Sequence, residues 1–211
     1  MTHHVSPEDP RPCVLLCDGR WYPVLPAPEN VNLPIILGTL TEIRRYNGQI
    51  SVSVGQHTLA LCYALKALGR DAAVPHALLH DAPEAFLGDL TGPVKRADPD
   101  LHAAFKRLDA KVLDAIYAAC KLDPPDAMTA SIVARADSRC CAVEARYWYS
   151  ADADTRLFAY HGGPPEGGDL RPDNGFGPAL VAAYRELPHD QHAVCLALLA
   201  IADYTLPFVP R

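Results

Sequence analysis

The stretch 77–95 carries four ionisable side chains among residues that are otherwise mostly apolar or small: His80, Asp81, Glu84 and Asp89. If the first part of the stretch is helical, His80 and Glu84 lie one turn apart and can serve one site. Carboxylates are rarely fully buried unless they are paired or bind a metal. The cluster therefore predicts either a metal site with acid/base groups beside it or a helix end near Pro83 whose polar residues face water.

Further candidate ligands lie on apolar helical faces elsewhere in the chain. His57 shares a face with Leu61 and Leu65, which directs it towards the core, although a lone histidine there is usually satisfied by an internal hydrogen bond. Asp137 and Glu144 interrupt a stripe of small and apolar residues in a later helix. Two imidazoles and two carboxylates suit a borderline or hard divalent ion, and the candidate set is His57, His80, Asp81 and Asp137.

Composition indicates a globular protein with one well-buried domain. The 211 residues are 49% hydrophobic and 21% charged, which excludes a disordered chain. The net charge of −6 argues against a general nucleic-acid binder. The seven cysteines include no C-x-x-C pair, which predicts reduced core thiols. Since no apolar run approaches the roughly 18 residues of a membrane span, we expect a soluble cytoplasmic protein.

The apolar spacing predicts an all-α fold of six to seven helices. Residues 1–30 form a proline-rich arm, with a small β-hairpin that turns at Asp18–Gly19. Residues 31–211 form a single domain, in which 161–177 is a Gly/Pro-rich loop. The first predicted helix begins at Asn32, and the second runs from about His57 to Leu68. Five later helices are predicted over 74–86, 99–120, 127–149, 178–186 and 189–203.

The order of these motifs resembles the HD-domain metal-dependent phosphohydrolases, an all-α helical-bundle superfamily. The resemblance covers roughly residues 37–149 and is closest to bacterial 5'-deoxynucleotidases and phage dATP triphosphohydrolases. Four segments carry the resemblance. Arg45–Gly48 is similar to an Arg-aromatic phosphate-binding pair, and Ser51–His57 is similar to the segment with the first metal histidine. Leu79–Leu90 with Pro93–Lys95 is similar to the central motif, and Ala134–Asp137 is similar to the segment with the last metal aspartate.

The resemblance implies a role for each candidate residue. The metal ligands are His57, His80, Asp81 and Asp137, and the ion is Zn, Mn, Co or Fe, with Mg or Co as a further ion on the substrate phosphates. Glu84 and Asp89 position or deprotonate the attacking water. The substrate-binding residues are Arg45, Tyr46 and Lys95. Some relatives have a lysine three residues before the last aspartate; Ala134 occupies that position here, which leaves the number of phosphates open.

The activity implied by the resemblance is hydrolysis of 2'-deoxynucleotide phosphates, with a dATP-type deoxynucleoside triphosphate as the first substrate expected. The alternatives are a 5'-deoxynucleotidase acting on deoxynucleoside monophosphates, a non-catalytic nucleotide-binding HD protein, and a structural helical protein with internally paired His and Asp. The expected partners are a small nucleotide and further copies of the chain, without polymeric nucleic acid or membrane. A phage-encoded enzyme acting in the host cytoplasm fits the same expectation.

Overall fold

The computed structural model describes residues 4, 10–148 and 176–211. Positions 161–175 of the predicted loop 161–177 therefore lie outside the described residues. Strands β1 (Cys13–Leu15) and β2 (Trp21–Pro23) pair antiparallel, with Val14 opposite Tyr22. Gly19 has a φ of +74° in the turn between them, a conformation that glycine adopts without strain. The predicted N-terminal hairpin is thus confirmed.

Apart from this hairpin, the described chain is mostly helical, which confirms the all-α prediction. Six of its helices have ten residues or more, in agreement with the six to seven expected. The helices are α1 (Leu33–Glu42), α2 (Val54–Ala67), α3 (Val74–Leu79), α4 (Glu84–Leu87), α5 (Gly92–Arg96), α6 (Pro99–Cys120), α7 (Ala127–Trp148), α8 (Phe176–Glu186) and α9 (Gln191–Thr205).

Helix α2 lies at the centre of the bundle and packs against α1, α3, α7, α8 and α9. Its residues Leu59, Leu61 and Leu65 are buried. The hairpin adds Leu16 and Tyr22 to the same core. Within the described ranges, no helix combines the length and apolar character that crossing a membrane requires.

The prediction of one helix over 74–86 is wrong, because the chain breaks at a turn over 80–83. Pro83 has no N–H to donate to Leu79. Tighter bonds replace the helical ladder: the Ala82 N–H donates to the Leu79 carbonyl at 3.1 Å, and the Glu84 N–H donates to the Asp81 carbonyl at 2.9 Å. His80 and Asp81 therefore lie in a turn between α3 and α4.

A reciprocal cap fixes the start of α2. The Gln56 N–H donates to Ser53 Oγ at 3.1 Å, and the Ser53 N–H donates to Gln56 Oε1 at the same distance. The cap satisfies backbone donors that the first turn would otherwise leave unpaired. It therefore holds the helix entry four residues before His57.

Gly55 allows α1 and α2 to approach closely at this entry. A methyl group on Gly55 would lie 2.9 Å from Thr41 Cγ2 and 3.2 Å from Thr41 Cα. We expect Gly55→Ala to lower the free energy of unfolding by about 1 to 3 kcal/mol, because the backbone must shift to admit the methyl group. Urea unfolding followed by circular dichroism measures this change.

Gly92→Ala is the matched control, since Gly92 also lies in the first turn of a helix. Its added methyl group would meet the flexible guanidinium of Arg96 at 3.1 Å, and that group supplies its three nearest contacts outside the helix's own backbone. We expect this variant to be neutral or stabilising, because alanine is the better helix former. Equal destabilisation of the two variants would contradict close packing at Gly55.

Candidate metal centre

Three elements bring together the four residues predicted to bind metal. His57 lies in the first turns of α2, His80 and Asp81 in the turn after α3, and Asp137 in the middle of α7. His57 Nε2 is 3.1 Å from Asp137 Oδ1 and 3.6 Å from Asp81 Oδ2. His80 Nε2 is 3.2 Å from Asp81 Oδ2 and 3.9 Å from Asp137 Oδ1. All four side chains therefore converge on one point.

Both histidines are oriented so that Nε2 faces this point. His57 Nδ1 is 2.8 Å from Glu144 Oε1, and His80 Nδ1 is 2.7 Å from the Ala77 carbonyl oxygen. Because both partners are acceptors, Nδ1 carries the proton in each ring, and Nε2 is left as a lone-pair donor. Backbone and carboxylate partners of this kind commonly fix metal-binding histidines.

The cluster fits a divalent ion. The Nε2 atoms of His57 and His80 are buried and have no hydrogen-bond partner among the described residues, although carboxylate oxygens lie near them. Ligand atoms of His57, His80 and Asp81 all lie within 4.8 Å of one another. Atoms that bind one ion at about 2.1 Å are separated by roughly 3 to 4 Å, which is the spacing found between the imidazoles and the carboxylates.

Two further carboxylates flank the cluster. Glu84 is 7% exposed, and its Oε2 has no hydrogen-bond partner in the described part of the chain. Burial, followed by the charges of Asp81 and Asp89, raises the pKa of Glu84 well above its usual value. Burial also raises the pKa of Asp89. A raised pKa makes a carboxylate a stronger proton acceptor.

A folded loop places Arg45 beside the cluster. The Arg45 N–H donates to the Val52 carbonyl at 3.1 Å, and the Val54 N–H donates to the Ile43 carbonyl at 2.9 Å. The two halves of the α1–α2 connection are thereby paired. Arg45 is buried, and its Nη1 lies 3.6 Å from Asp81 Oδ2. A phosphate held by the cluster would be within reach of its guanidinium.

Tyr46 follows Arg45 in a strained backbone conformation. Tyr46 and Asn47 have φ values of +55° and +54°, which are uncommon for residues other than glycine. Such strain persists where the surroundings demand it, often at functional sites. The Tyr46 hydroxyl donates to Glu144 Oε2 at 2.9 Å, so its polar end is directed into the protein.

Glu144 is the residue whose importance the sequence reasoning missed. It stood out only as a second carboxylate on the apolar stripe of α7, two turns after Asp137. In the structure its side chain is fully buried and meets Arg45, Tyr46, His57 and Tyr184. Burial alone would raise the pKa of Glu144, but Arg45 and His57 lower it to about 2. Glu144 is therefore ionised within the network.

The last candidate, Lys95, lies at the edge of the site, and two further basic side chains, His76 and Arg135, lie away from it. The Lys95 ammonium group is 4.4 Å from the centre of the Phe105 ring, and its charge lowers the pKa values of Glu84 and Asp89. His76 instead packs edge-on against Tyr117, with ring centroids 5.8 Å apart. Arg135, two residues before Asp137, is exposed and lines a cavity with Arg70 and Arg139.

The helical bundle and its His/Asp cluster are consistent with an HD-domain metal-dependent phosphohydrolase. More narrowly, residues 49–142 match the sequence model of the family described as 5'-deoxynucleotidase YfbR-like. This match confirms the resemblance found in the sequence. A search of curated proteins gave no match.

Proposed function

We propose that the protein is a metal-dependent 5'-deoxynucleotidase, which converts deoxynucleoside monophosphates into deoxynucleosides and phosphate. The observation that carries this proposal is the match over residues 49–142 to a 5'-deoxynucleotidase family, because that segment contains the four candidate ligands together with Glu84 and Asp89. It favours the monophosphate alternative over the dATP-type triphosphate expected first. Restriction to small nucleotides and assembly into homo-oligomers stay predictions.

The charges around the cluster are also better suited to one phosphate than to three. A phosphate monoester carries about −1.5 to −2 charges at pH 7. Arg45 and Lys95 are the cations that lower the pKa values of both Glu84 and Asp89 most strongly, and the imidazole of His57 also lowers the pKa of Asp89. These cations and one divalent ion can neutralise a monophosphate beside several carboxylates. A triphosphate carries further anionic groups, which Arg45 and Lys95 alone would leave without a counter-charge.

In the proposed mechanism, His57, His80, Asp81 and Asp137 hold the ion. A divalent ion held there supplies Lewis acidity, which polarises a phosphoryl oxygen and makes water easier to deprotonate. Arg45 binds the phosphate and neutralises charge that develops on its oxygens. The Arg45 guanidinium is already fixed by Glu144 at 3.1 Å, so little ordering is needed when substrate binds.

Glu84 transfers the proton, and Asp89 positions the attacking water. Glu84 accepts a proton from the water as the water oxygen attacks phosphorus. The bond between phosphorus and the 5' oxygen breaks, and the leaving oxygen takes that proton, so that a deoxynucleoside and inorganic phosphate form. Asp89, which is half-buried near Glu84, orients the water through a hydrogen bond.

A nucleotide panel with product identification tests the proposal. Metal-loaded protein is incubated with the four dNMPs, the matching dNTPs and the ribonucleotides, and the products are separated by ion chromatography. We expect orthophosphate from dNMPs. Release of triphosphate or of sequential phosphates from dNTPs, without activity on dNMPs, would establish the triphosphohydrolase instead. Tight binding of a nucleotide without turnover would point to a non-catalytic sensor.

Removal of the metal should destabilise the protein measurably. A ligand that binds only the folded state at 100 times its dissociation constant adds about 2.7 kcal/mol, which for a chain of this size corresponds to roughly 5 to 10 °C in the unfolding midpoint. We expect chelator to lower the midpoint of metal-loaded protein and added Mn²⁺ or Zn²⁺ to restore it. Differential scanning fluorimetry measures the shift.

The matched control in this experiment is Asp137→Ala, which should show no response to metal or chelator. A wild-type midpoint that ignores both reagents, together with no metal by elemental analysis, would support a structural protein with internally paired His and Asp.

A further inference from the structure

Glu144 joins the metal ligands to the phosphate-binding arginine through the two oxygens of one carboxylate. Oε1 lies 2.8 Å from His57 Nδ1 and accepts a hydrogen bond from the Tyr184 hydroxyl. Oε2 accepts from Arg45 Nε at 3.1 Å and from the Tyr46 hydroxyl at 2.9 Å. The two oxygens therefore receive four donors from α2, from α8 and from the α1–α2 loop.

Stability alone does not explain this arrangement. Glu144 and His57 are fully buried, and Arg45 is 8% exposed, so three ionisable side chains have lost most of their water. Removing charges from water is costly, and a well-packed apolar set of similar volume is often as stable or more so. A buried network of this kind has a functional role where it fixes the orientation of groups that must act together.

We propose that Glu144 is a positioning residue that sets the His57 ring and the Arg45 guanidinium in one fixed relation. The inference rests on the proposed function in assigning metal to His57 and phosphate to Arg45. Acceptance of the Nδ1–H by Oε1 keeps Nε2 directed at the metal position and increases its basicity. Acceptance of the Nε–H by Oε2 prevents rotation of the guanidinium about its long side chain.

The Arg45 contacts on its other side agree with this role. Nη1 faces Asp81 at 3.6 Å, and Nη2 approaches Cys141 Sγ at 3.3 Å. A thiol is only a weak acceptor, and burial followed by the charge of Asp137 raises the pKa of Cys141 well above its usual value, so it stays neutral. Glu144 is thus the strong acceptor that holds Nε, while Nη1 remains directed towards Asp81 of the metal cluster.

The test compares Glu144→Gln with the wild type by metal affinity and by steady-state kinetics. An amide has one acceptor oxygen, so its NH₂ group faces either the His57 side or the Arg45 side and cannot accept there. We expect the dissociation constant for Zn²⁺, measured by competition with a chromophoric chelator, to rise about 10- to 100-fold. We also expect KM for the dNMP to rise at saturating metal. Circular dichroism checks that the variant is folded.

Two further variants keep the test decisive. Glu186→Gln removes an exposed carboxylate at the end of α8 and should leave the metal affinity unchanged. Tyr184→Phe removes one donor to Oε1 without removing a buried charge, and should weaken metal binding in the same direction but less than Glu144→Gln. If Glu144→Gln does not fold, the metal affinity of Tyr184→Phe tests the proposal.

A folded Glu144→Gln variant with wild-type metal affinity and KM would overturn the proposal. If Glu144→Gln is unfolded, wild-type metal affinity in Tyr184→Phe would overturn it. The metal titration needs no substrate. If the wild type binds metal but hydrolyses no nucleotide, the proposed function fails while the metal titration still tests how Glu144 orients His57.

Discussion

Asp137→Ala is expected to lose the metal and, with it, at least about 10³-fold in turnover, since a metal contributes several kcal/mol of transition-state stabilisation. Asp137 is the one candidate ligand supplied by α7, and its Oδ1 lies within 4 Å of Nε2 of both histidines. Without it, the cluster has two imidazoles and one carboxylate, and one side of the metal position is open.

Metal content by elemental analysis and phosphate release are measured on the same preparations. Asp114→Ala, an exposed carboxylate on α6, is the control and should match the wild type. The Asp137 side chain is 34% exposed, so its loss leaves no large cavity, and the variant should fold. Full metal content and turnover in Asp137→Ala would remove this residue from the metal site.

Glu84→Gln is expected to keep the metal and to lose about 10²- to 10⁴-fold in turnover, the range that general acid–base groups contribute. The amide has nearly the same shape but cannot accept the proton of the attacking water. Glu84 Oε2 has no protein partner in the described residues, so the substitution breaks no hydrogen bond at that atom.

The stability of this variant provides a separate check. Because burial and the neighbouring aspartates raise the pKa of Glu84, ionisation of this side chain at neutral pH opposes folding of the metal-free protein. A neutral amide removes that repulsion, so the thermal midpoint of metal-free Glu84→Gln should equal or exceed that of the wild type. Turnover within a few-fold of the wild type, at full metal content, would assign the proton transfer elsewhere.

The fold was predictable where local signals agreed with packing. Helix α6 occupies the residues 99–120 expected from its apolar spacing, because Pro99 and the Asp98 cap mark its start. The hairpin turn at Asp18–Gly19 followed from turn chemistry alone. The break at 80–83 did not, because a proline inside an apolar pattern is compatible with either a kink or a new helix.

The site was predictable as a set of residue types but not as a network. His57, His80, Asp81 and Asp137 stood out because ionisable groups interrupt apolar faces. Glu144 carried the same signal and received no role, because its partners come from residues 99 and 40 positions away in sequence. Local periodicity cannot show which distant donors face a buried carboxylate, and the structure supplies that pairing.

The most direct test of the account is anomalous diffraction from crystals grown with Mn²⁺ or Co²⁺ and without nucleotide. We predict a single strong peak at about 2.0 to 2.3 Å from Nε2 of His57 and His80 and from carboxylate oxygens of Asp81 and Asp137. The contradicting result is a crystal, grown from a preparation that hydrolyses nucleotides, in which no peak lies there and both Nε2 atoms are hydrogen-bonded to the aspartates. That result would contradict the assignment of this cluster as the catalytic metal centre.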